Sequence, residues 1–123
     1  IAETLGRFHL LDVMNEPTAT LPYGKQRLLE IAVAIATKPR VLLLDEPAAG
    51  GPESERHDIL AAVAALPRDV TVLLIEHDMD LVFSFADRIS VLVNGAMLVE
   101  GPPDQVARDP QVKAVYLGEV ADA

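Results

Sequence analysis

The sequence predicts an α/β fold that combines parallel strands, a C-terminal β-hairpin and flanking helices. Two apolar runs, residues 41–44 and 70–75, lack alternating polar residues, which is typical of strands buried on both faces. A helical pattern separates the runs, so we expect the two strands to be parallel and joined by a right-handed crossover. Asn94 and Gly95 lie between two later apolar stretches and predict a hairpin turn, because both turn positions require a positive φ.

The first third of the chain predicts two helices joined by a polar linker. Residues 1–14 carry apolar side chains along one face, and Pro17 ends the predicted helix. Residues 15–20 form the linker, and a second helix is expected over residues 23–37. Apolar residues cover so much of the circumference of this second helix that we expect it to be buried.

Residues that cap or end helices define the remaining predicted helices. Pro52 stands at an expected first helical position, and two acidic residues follow it in the first turn, which is typical of a helix start. Asp78 and Asp109 can each cap a helix, because a carboxylate accepts hydrogen bonds from the first helical amides. Gly118 is expected to stop the last helix, beyond which the tail should fray. The predicted helices are 52–66, 79–86, 103–108 and 110–117, and the predicted hairpin strands are 89–93 and 96–99.

Composition excludes several classes of protein. The chain has 123 residues, no cysteine, and 19 acidic against 10 basic residues, which gives a net charge of -9. This acidic balance argues against a nucleic-acid partner, whose binding needs a basic surface. The lack of cysteine excludes disulfide scaffolds and cysteine zinc sites. The apolar runs are too short to span a bilayer and no secretory signal opens the chain, so we expect a cytoplasmic location.

Polar residues directly follow both predicted parallel strands. Asp45 and Glu46 come after the first strand, and Glu76, His77 and Asp78 come after the second. Because ligands bind beyond the carboxyl ends of parallel strands, we expect both clusters at one edge of the sheet. One carboxylate can face a cation such as Mg²⁺, and the other can orient a water molecule for attack. The alternatives are an ordinary polar strand end for the acidic pair and a structural role for His77.

The start of the second predicted helix is a candidate phosphate-binding site. Residues 22–26 open this helix, whose first amides and positive dipole end attract anions. The alternative is an ordinary helix start, with Pro22 at the first helical position.

Four stretches together resemble motifs of one protein family. Residues 21–27 (LPYGKQR), 41–47 (VLLLDEP), 48–55 (AAGGPESE) and 73–79 (LLIEHDM) are similar to the signature loop, Walker B, D-loop and switch histidine of an ABC-transporter ATPase subunit. The order and spacing match, and the resemblance covers essentially the whole chain. Tyr23, the run at 76–79 and the run at 115–119 resemble the branched-chain amino-acid importer branch, with lipopolysaccharide-export ATPases as the alternative.

The resemblance implies a fold, a division of the chain and roles for particular residues. The fold would be a partial P-loop NTPase (RecA-like) sheet. Residues 1–38 would end a helical subdomain, residues 39–101 would form the catalytic core, and residues 102–123 would form C-terminal helices and a tail. Asp45 would hold Mg²⁺, Glu46 would be the catalytic carboxylate, and His77 would contact the γ-phosphate of ATP. The implied nucleotide-binding residues are Leu21, Pro22, Tyr23, Gly24, Lys25, Gln26, Gly50 and Gly51.

The resemblance also implies partners. The loop at 21–26 would contact ATP held by a second ATPase subunit in a head-to-tail dimer, with residues 48–53 at the interface. Permease subunits would hold the dimer at the inner face of the cell membrane, and an extracytoplasmic substrate-binding protein would act indirectly. Three residues depart from the family pattern. Pro22 stands where serine is usual and offers no hydroxyl, Lys25 replaces glutamine, and Pro52 stands where asparagine or aspartate is usual.

The phosphate-binding loop G-x-x-x-x-G-K-[ST] does not occur in this sequence. The single Gly-Lys pair, at 24–25, is followed by Gln26, and the chain begins with Ile1. We therefore expect a fragment of an ABC importer ATPase that neither binds ATP tightly nor hydrolyses it alone, and that associates through strands lacking a neighbour. The alternatives are a non-catalytic interaction module and an unrelated small enzyme that performs metal-assisted hydrolysis with Asp45, Glu46 and His77.

Overall fold

The computed structural model describes residues 1–121, and side chains through residue 116. It divides into two compact units, one from Ile1 to Glu76 and the other beginning at His77. Each unit contains a two-stranded sheet, parallel in the first and antiparallel in the second. The α/β fold with parallel strands and a C-terminal hairpin is therefore confirmed. The last two residues of the predicted 102–123 segment lie outside the described residues.

The first unit alternates helices and strands, as the sequence predicts. Its helices are α1 (Ala2–Arg7), α2 (Tyr23–Ala36) and α3 (Glu53–Ala64), its strands are β1 (Val41–Asp45) and β2 (Thr71–Ile75), and single 3₁₀ turns cover Leu11–Val13 and Thr18–Thr20. The strands pair in parallel, from Val41 opposite Thr71 to Asp45 opposite Ile75. Helix α2 packs against both α1 and α3.

The helix predicted over residues 1–14 is wrong beyond its first two turns. His9 takes a left-handed conformation with φ 57°, which ends α1 although the residue is not glycine. The His9 amide donates to the Gly6 carbonyl at 3.2 Å, and the Leu10 amide donates to the Leu5 carbonyl at 2.8 Å. These two bonds form a Schellman cap, which satisfies the last helical carbonyls. The turn buries Phe8 and Leu10 completely, so core packing outweighs continued helix.

Burial on both faces of the parallel strands is also a wrong expectation. Leu42 is buried, whereas Leu43 is 69% exposed and its cross-strand partner Leu73 is 57% exposed. Alternate residues of a strand point to opposite faces, so one face of this two-stranded sheet is packed and the other is open. The expected burial of α2 is also wrong in part, because Val33 of this helix is 61% exposed.

The start of α3 differs by one position from its prediction. Pro52 is the N-cap residue, in extended conformation with ψ 151°, rather than the first helical residue. Glu53 and Glu55 then occupy the first turn, where acidic side chains complement the positive end of the helix dipole.

The second unit agrees closely with the sequence. It contains α4 (Met79–Phe85), β3 (Ile89–Val93), β4 (Ala96–Gly101), α5 (Pro103–Arg108) and α6 (Pro110–Ala121). Asp78 caps α4 and Asp109 caps α6, since each carboxylate accepts hydrogen bonds from two amides of the following turn. Asn94 and Gly95 have φ of 50° and 80°, which confirms the hairpin turn. Gly118 does not stop α6, which continues to Ala121; one interior glycine costs a helix only about 1 kcal/mol.

The open face of the parallel sheet predicts self-association. Replacing Leu43 by Lys and Leu73 by Glu puts opposite charges on neighbouring strands and removes apolar area that faces water. We expect the double variant to remain folded and to show a lower apparent mass by light scattering at high concentration than the parent chain. As a control, Leu42→Lys on the packed face should unfold the chain. Equal association of the parent and the double variant would contradict the prediction.

Candidate functional site

Two acidic residues lie at the carboxyl end of the parallel strands. Asp45 is the last residue of β1, is exposed, and pairs in register with Ile75 of β2. The Glu46 amide then donates to the Ile75 carbonyl at 2.8 Å, which extends the ladder by one bond beyond β1. The expected placement of Glu46 and Glu76 at one sheet edge follows directly from this register. His77 is exposed and follows Glu76 as the first residue of the second unit.

Glu46 has an unusual backbone conformation. Its φ is 45°, a left-handed value that costs a non-glycine residue about 1–2 kcal/mol. Two hydrogen bonds hold it there, one from its own amide to Ile75 and one of 3.0 Å from the Ala49 amide to its carbonyl. Such strain is typical of functional positions, because it re-aims a side chain at the end of a rigid strand.

The side chain of Glu46 approaches a second carboxylate. A Glu46 oxygen and a Glu76 oxygen lie within 4.8 Å of each other, close enough to share a cation. Carboxylate oxygens are the ligands that Mg²⁺ prefers, so the donor set fits a hard divalent ion. Sequence reasoning assigned the metal to Asp45 and gave Glu76 no role. The signal for Glu76 was present, because an acidic residue directly follows the apolar run of β2.

The predicted phosphate-binding segment forms the first turn of α2. Pro22 is the N-cap, and the first helical hydrogen bond runs from the Gln26 amide to the Pro22 carbonyl at 3.0 Å. The three amides before Gln26 therefore precede the helical ladder, the position at which helices bind anions in proteins. Gly24 is buried here, and a Cβ at this position would come within 2.9 Å of the Glu55 carboxyl group.

The side chains of Lys25 and Gln26 contact the segment that precedes α2. The Lys25 ammonium lies 3.1 Å from Asp12 and 3.2 Å from the His9 carbonyl. Gln26 donates to the Thr18 carbonyl at 3.1 Å and to the Leu21 carbonyl at 3.2 Å, and Leu21 itself is buried. In this structure both side chains are therefore engaged with the segment that leads into α2.

The loop that contains Gly50 and Gly51 lies against Tyr23. Gly50 has φ 83°, a conformation that favours glycine. The Tyr23 hydroxyl donates to the Ala49 carbonyl, so the first residue of α2 contacts the loop after β1. The structure therefore brings the implied residues of 21–26 and 50–51 together, through a contact that the sequence does not indicate.

Comparison with known proteins identifies the family of this chain. A family model described as "ABC transporter" matches residues 1–49, and one described as "Branched-chain amino acid ATP-binding cassette transporter" matches residues 96–122. The chain is 48% identical over 120 residues to the high-affinity branched-chain amino acid transport ATP-binding protein BraF of Pseudomonas aeruginosa, covering 96% of this chain and 47% of BraF. This chain belongs to the ABC-transporter ATP-binding family.

Other members of this family agree in sequence and fold. The chain is 44% identical over 120 residues to LivG of Escherichia coli K12, a branched-chain amino acid transport ATP-binding protein, covering 96% of this chain and 47% of LivG. A crystal structure of an ATP-binding cassette in its ADP conformation matches with a TM-score of 0.82 at 32% identity, covering 94% of this chain and 48% of that one. The chain thus spans about half the length of the ABC proteins it matches. None of the helices within residues 1–121 has the length and apolar character needed to span a membrane.

The strained backbone at Glu46 leads to a stability prediction. Glu46→Ala and Glu46→Gly both remove the carboxylate, but only glycine accepts φ 45° without strain. We expect Glu46→Gly to be more stable than Glu46→Ala by about 1 kcal/mol in urea unfolding. The matched pair at Asp45, which lies in the strand, should show the opposite order because glycine weakens a strand. Alanine variants that are more stable than glycine variants at both positions would show that residue 46 is not strained.

Proposed function

We propose that this chain acts in an ATP-hydrolysing subunit of an ABC transporter that imports branched-chain amino acids. The observation that carries the proposal is the strained Glu46, aimed from the end of β1 with its carboxylate within 4.8 Å of that of Glu76. The identity to BraF and LivG and the match at residues 96–122 support the branched-chain branch over lipopolysaccharide export.

The carboxylates divide the chemistry at this edge. Asp45, exposed at the end of β1, would hold Mg²⁺. The bound ion neutralises charge on the phosphates of ATP. Glu46 accepts a hydrogen bond from the attacking water and orients it. His77, which follows Glu76, contacts the γ-phosphate and stabilises the charge that builds up during transfer.

The start of α2 acts on a nucleotide held by a second subunit. Its amides point away from the helix and favour a phosphate group, and residues 48–53 line the interface with that subunit. Permease subunits in the cell membrane hold the pair at the cytoplasmic face, and an extracytoplasmic binding protein supplies the amino acid. This chain alone has little affinity for ATP, because its sequence lacks G-x-x-x-x-G-K-[ST].

A chimera with BraF tests the proposed function. The chain replaces the 120 matched residues of BraF, and the chimera is expressed in a Pseudomonas aeruginosa strain that lacks BraF. We expect restored uptake of labelled leucine and, in the purified chimera, ATP hydrolysis that depends on Mg²⁺. Glu46→Gln should lower kcat by about 10²–10⁴-fold, the usual contribution of a general base.

A matched control separates the role of Glu46 from a general loss of charge. Glu16→Gln alters an exposed acid in the 3₁₀ region before α2 and should leave hydrolysis unchanged. A chimera that folds but neither hydrolyses ATP nor supports uptake would favour the non-catalytic interaction module. Phosphatase activity of the chain with metal and without ATP would favour metal-assisted hydrolysis.

A further inference from the structure

Tyr23 is the first residue of α2, and its side chain contacts the loop formed by residues 48–52. We propose that Tyr23 is a positioning residue, which fixes this loop to the start of α2 so that the two segments keep one relative geometry. Neither the family resemblance nor the comparisons assign this residue such a role. Its consequence for catalysis rests on the proposed function, whereas the contact itself does not.

Hydrogen bonds join Tyr23 to both segments. Its hydroxyl donates to the Ala49 carbonyl and accepts from Arg27 Nε at 2.8 Å, one turn later in α2. The Arg27 guanidinium lies over the tyrosine ring, 5.1 Å from its centre, and pairs with Glu30 at 3.0 Å. The hydrogen bond with Tyr23 also raises the pKa of Arg27, a guanidinium that is charged in proteins in any case. The hydroxyl is therefore oriented toward Ala49 by a neighbour on its own helix.

Steric fit accounts for Gly51, and backbone conformation accounts for Gly50. A Cβ at Gly51 would lie 3.0 Å from Tyr23 Cδ1 and 3.2 Å from Cε1, closer than side-chain atoms normally approach. At Gly50 a Cβ would come within 3.4 Å of the tyrosine hydroxyl, and φ is 83°. The tyrosine ring thus fills the space that a side chain at 51 would need, whereas at Gly50 the positive φ is what favours glycine. The large residue at 23 and the small residue at 51 are therefore sterically complementary.

The contact links three functional segments of the first unit. The loop of residues 48–52 follows closely after Glu46 with its strained backbone and ends at Pro52, the N-cap of α3. Through the Ala49 carbonyl, Tyr23 ties this loop to the amides that open α2. Under the proposed function, the tyrosine sets the spacing between the phosphate-binding amides and the interface loop without touching a reacting atom.

Hydrogen exchange on this chain tests the contact without any assay of ATP hydrolysis. Tyr23→Phe keeps the ring but loses the hydroxyl, and we expect amides in the 48–52 loop to exchange about fivefold to tenfold faster. Tyr116→Phe, at the half-buried tyrosine of the second unit, is the matched control and should leave that loop unchanged. Unchanged exchange in Tyr23→Phe would overturn the proposal.

A size swap tests the steric part of the same contact. Gly51→Ala alone should speed exchange in the loop, because its methyl group meets the tyrosine ring. In a Tyr23→Ala background the same substitution should add no further increase, since the ring is gone. If Gly51→Ala raised the exchange rate by the same factor with and without the tyrosine ring, the ring and the glycine would not act together.

The BraF chimera then tests the consequence for catalysis. Tyr23→Phe should lower kcat by about threefold to tenfold while the KM for ATP stays within about twofold, because positioning alone is altered. If the parent chimera hydrolyses no ATP, the proposed function fails and the exchange experiments still decide the contact. If the parent hydrolyses ATP and Tyr23→Phe matches it in kcat, the positioning role is overturned.

Discussion

The hydrogen bond from the Glu46 amide to the Ile75 carbonyl is the contact on which the site depends. At 2.8 Å it continues the parallel ladder one step past β1, so the chain leaves the sheet at a fixed point. Without it, the backbone could turn earlier or later and the carboxylates of Glu46 and Glu76 would no longer meet. Parallel pairing brings distant segments of the chain together, here residues 41–45 and 71–75. The register of this pairing therefore fixes the positions of the site residues that follow each strand.

The loop after this bond is held from several sides at once. Ala48 is buried at 1% exposure and anchors the loop in the core of the first unit, while the Ala49 carbonyl accepts the tyrosine hydroxyl. Pro52 then caps α3 without a side-chain hydrogen bond, in an extended conformation that proline adopts at little entropic cost. A short loop with this many constraints gives a rigid platform for charged groups, which is what catalysis by positioning requires.

Local signals explain which parts of the fold could be predicted from the sequence. Asn94-Gly95, Asp78 and Asp109 act through their own backbone or through amides two or three residues away, so the sequence alone suffices. His9 shows the limit of this reasoning, because a left-handed histidine ends α1 where the pattern of apolar residues indicates a longer helix. The burial of Phe8 and Leu10, which is a tertiary effect, determines where α1 ends.

The candidate site likewise contains residues whose placement can be predicted from the sequence and contacts that cannot. The acidic residues at the strand ends are predictable, since parallel topology alone puts Glu46 and Glu76 at one edge. The contact between Tyr23 and Ala49 joins residues 26 positions apart, and the partners of Lys25 lie 13 and 16 positions away. No helical or strand period connects such positions. Apolar runs likewise indicate that a strand can be buried on two faces, but not which other elements cover it.

The strain at Glu46 and the exposed face of the sheet both affect the stability of the paired strands β1 and β2. Two strands with one covered face are marginally stable, yet they must hold a residue whose left-handed backbone costs about 1–2 kcal/mol. Hydrogen bonds on both sides of Glu46 and the buried Ala48 offset that cost locally. Any cover over Leu43 and Leu73 would stabilise the same ladder that fixes Glu46. Packing on the open face would therefore tighten the geometry of the carboxylates without contacting them.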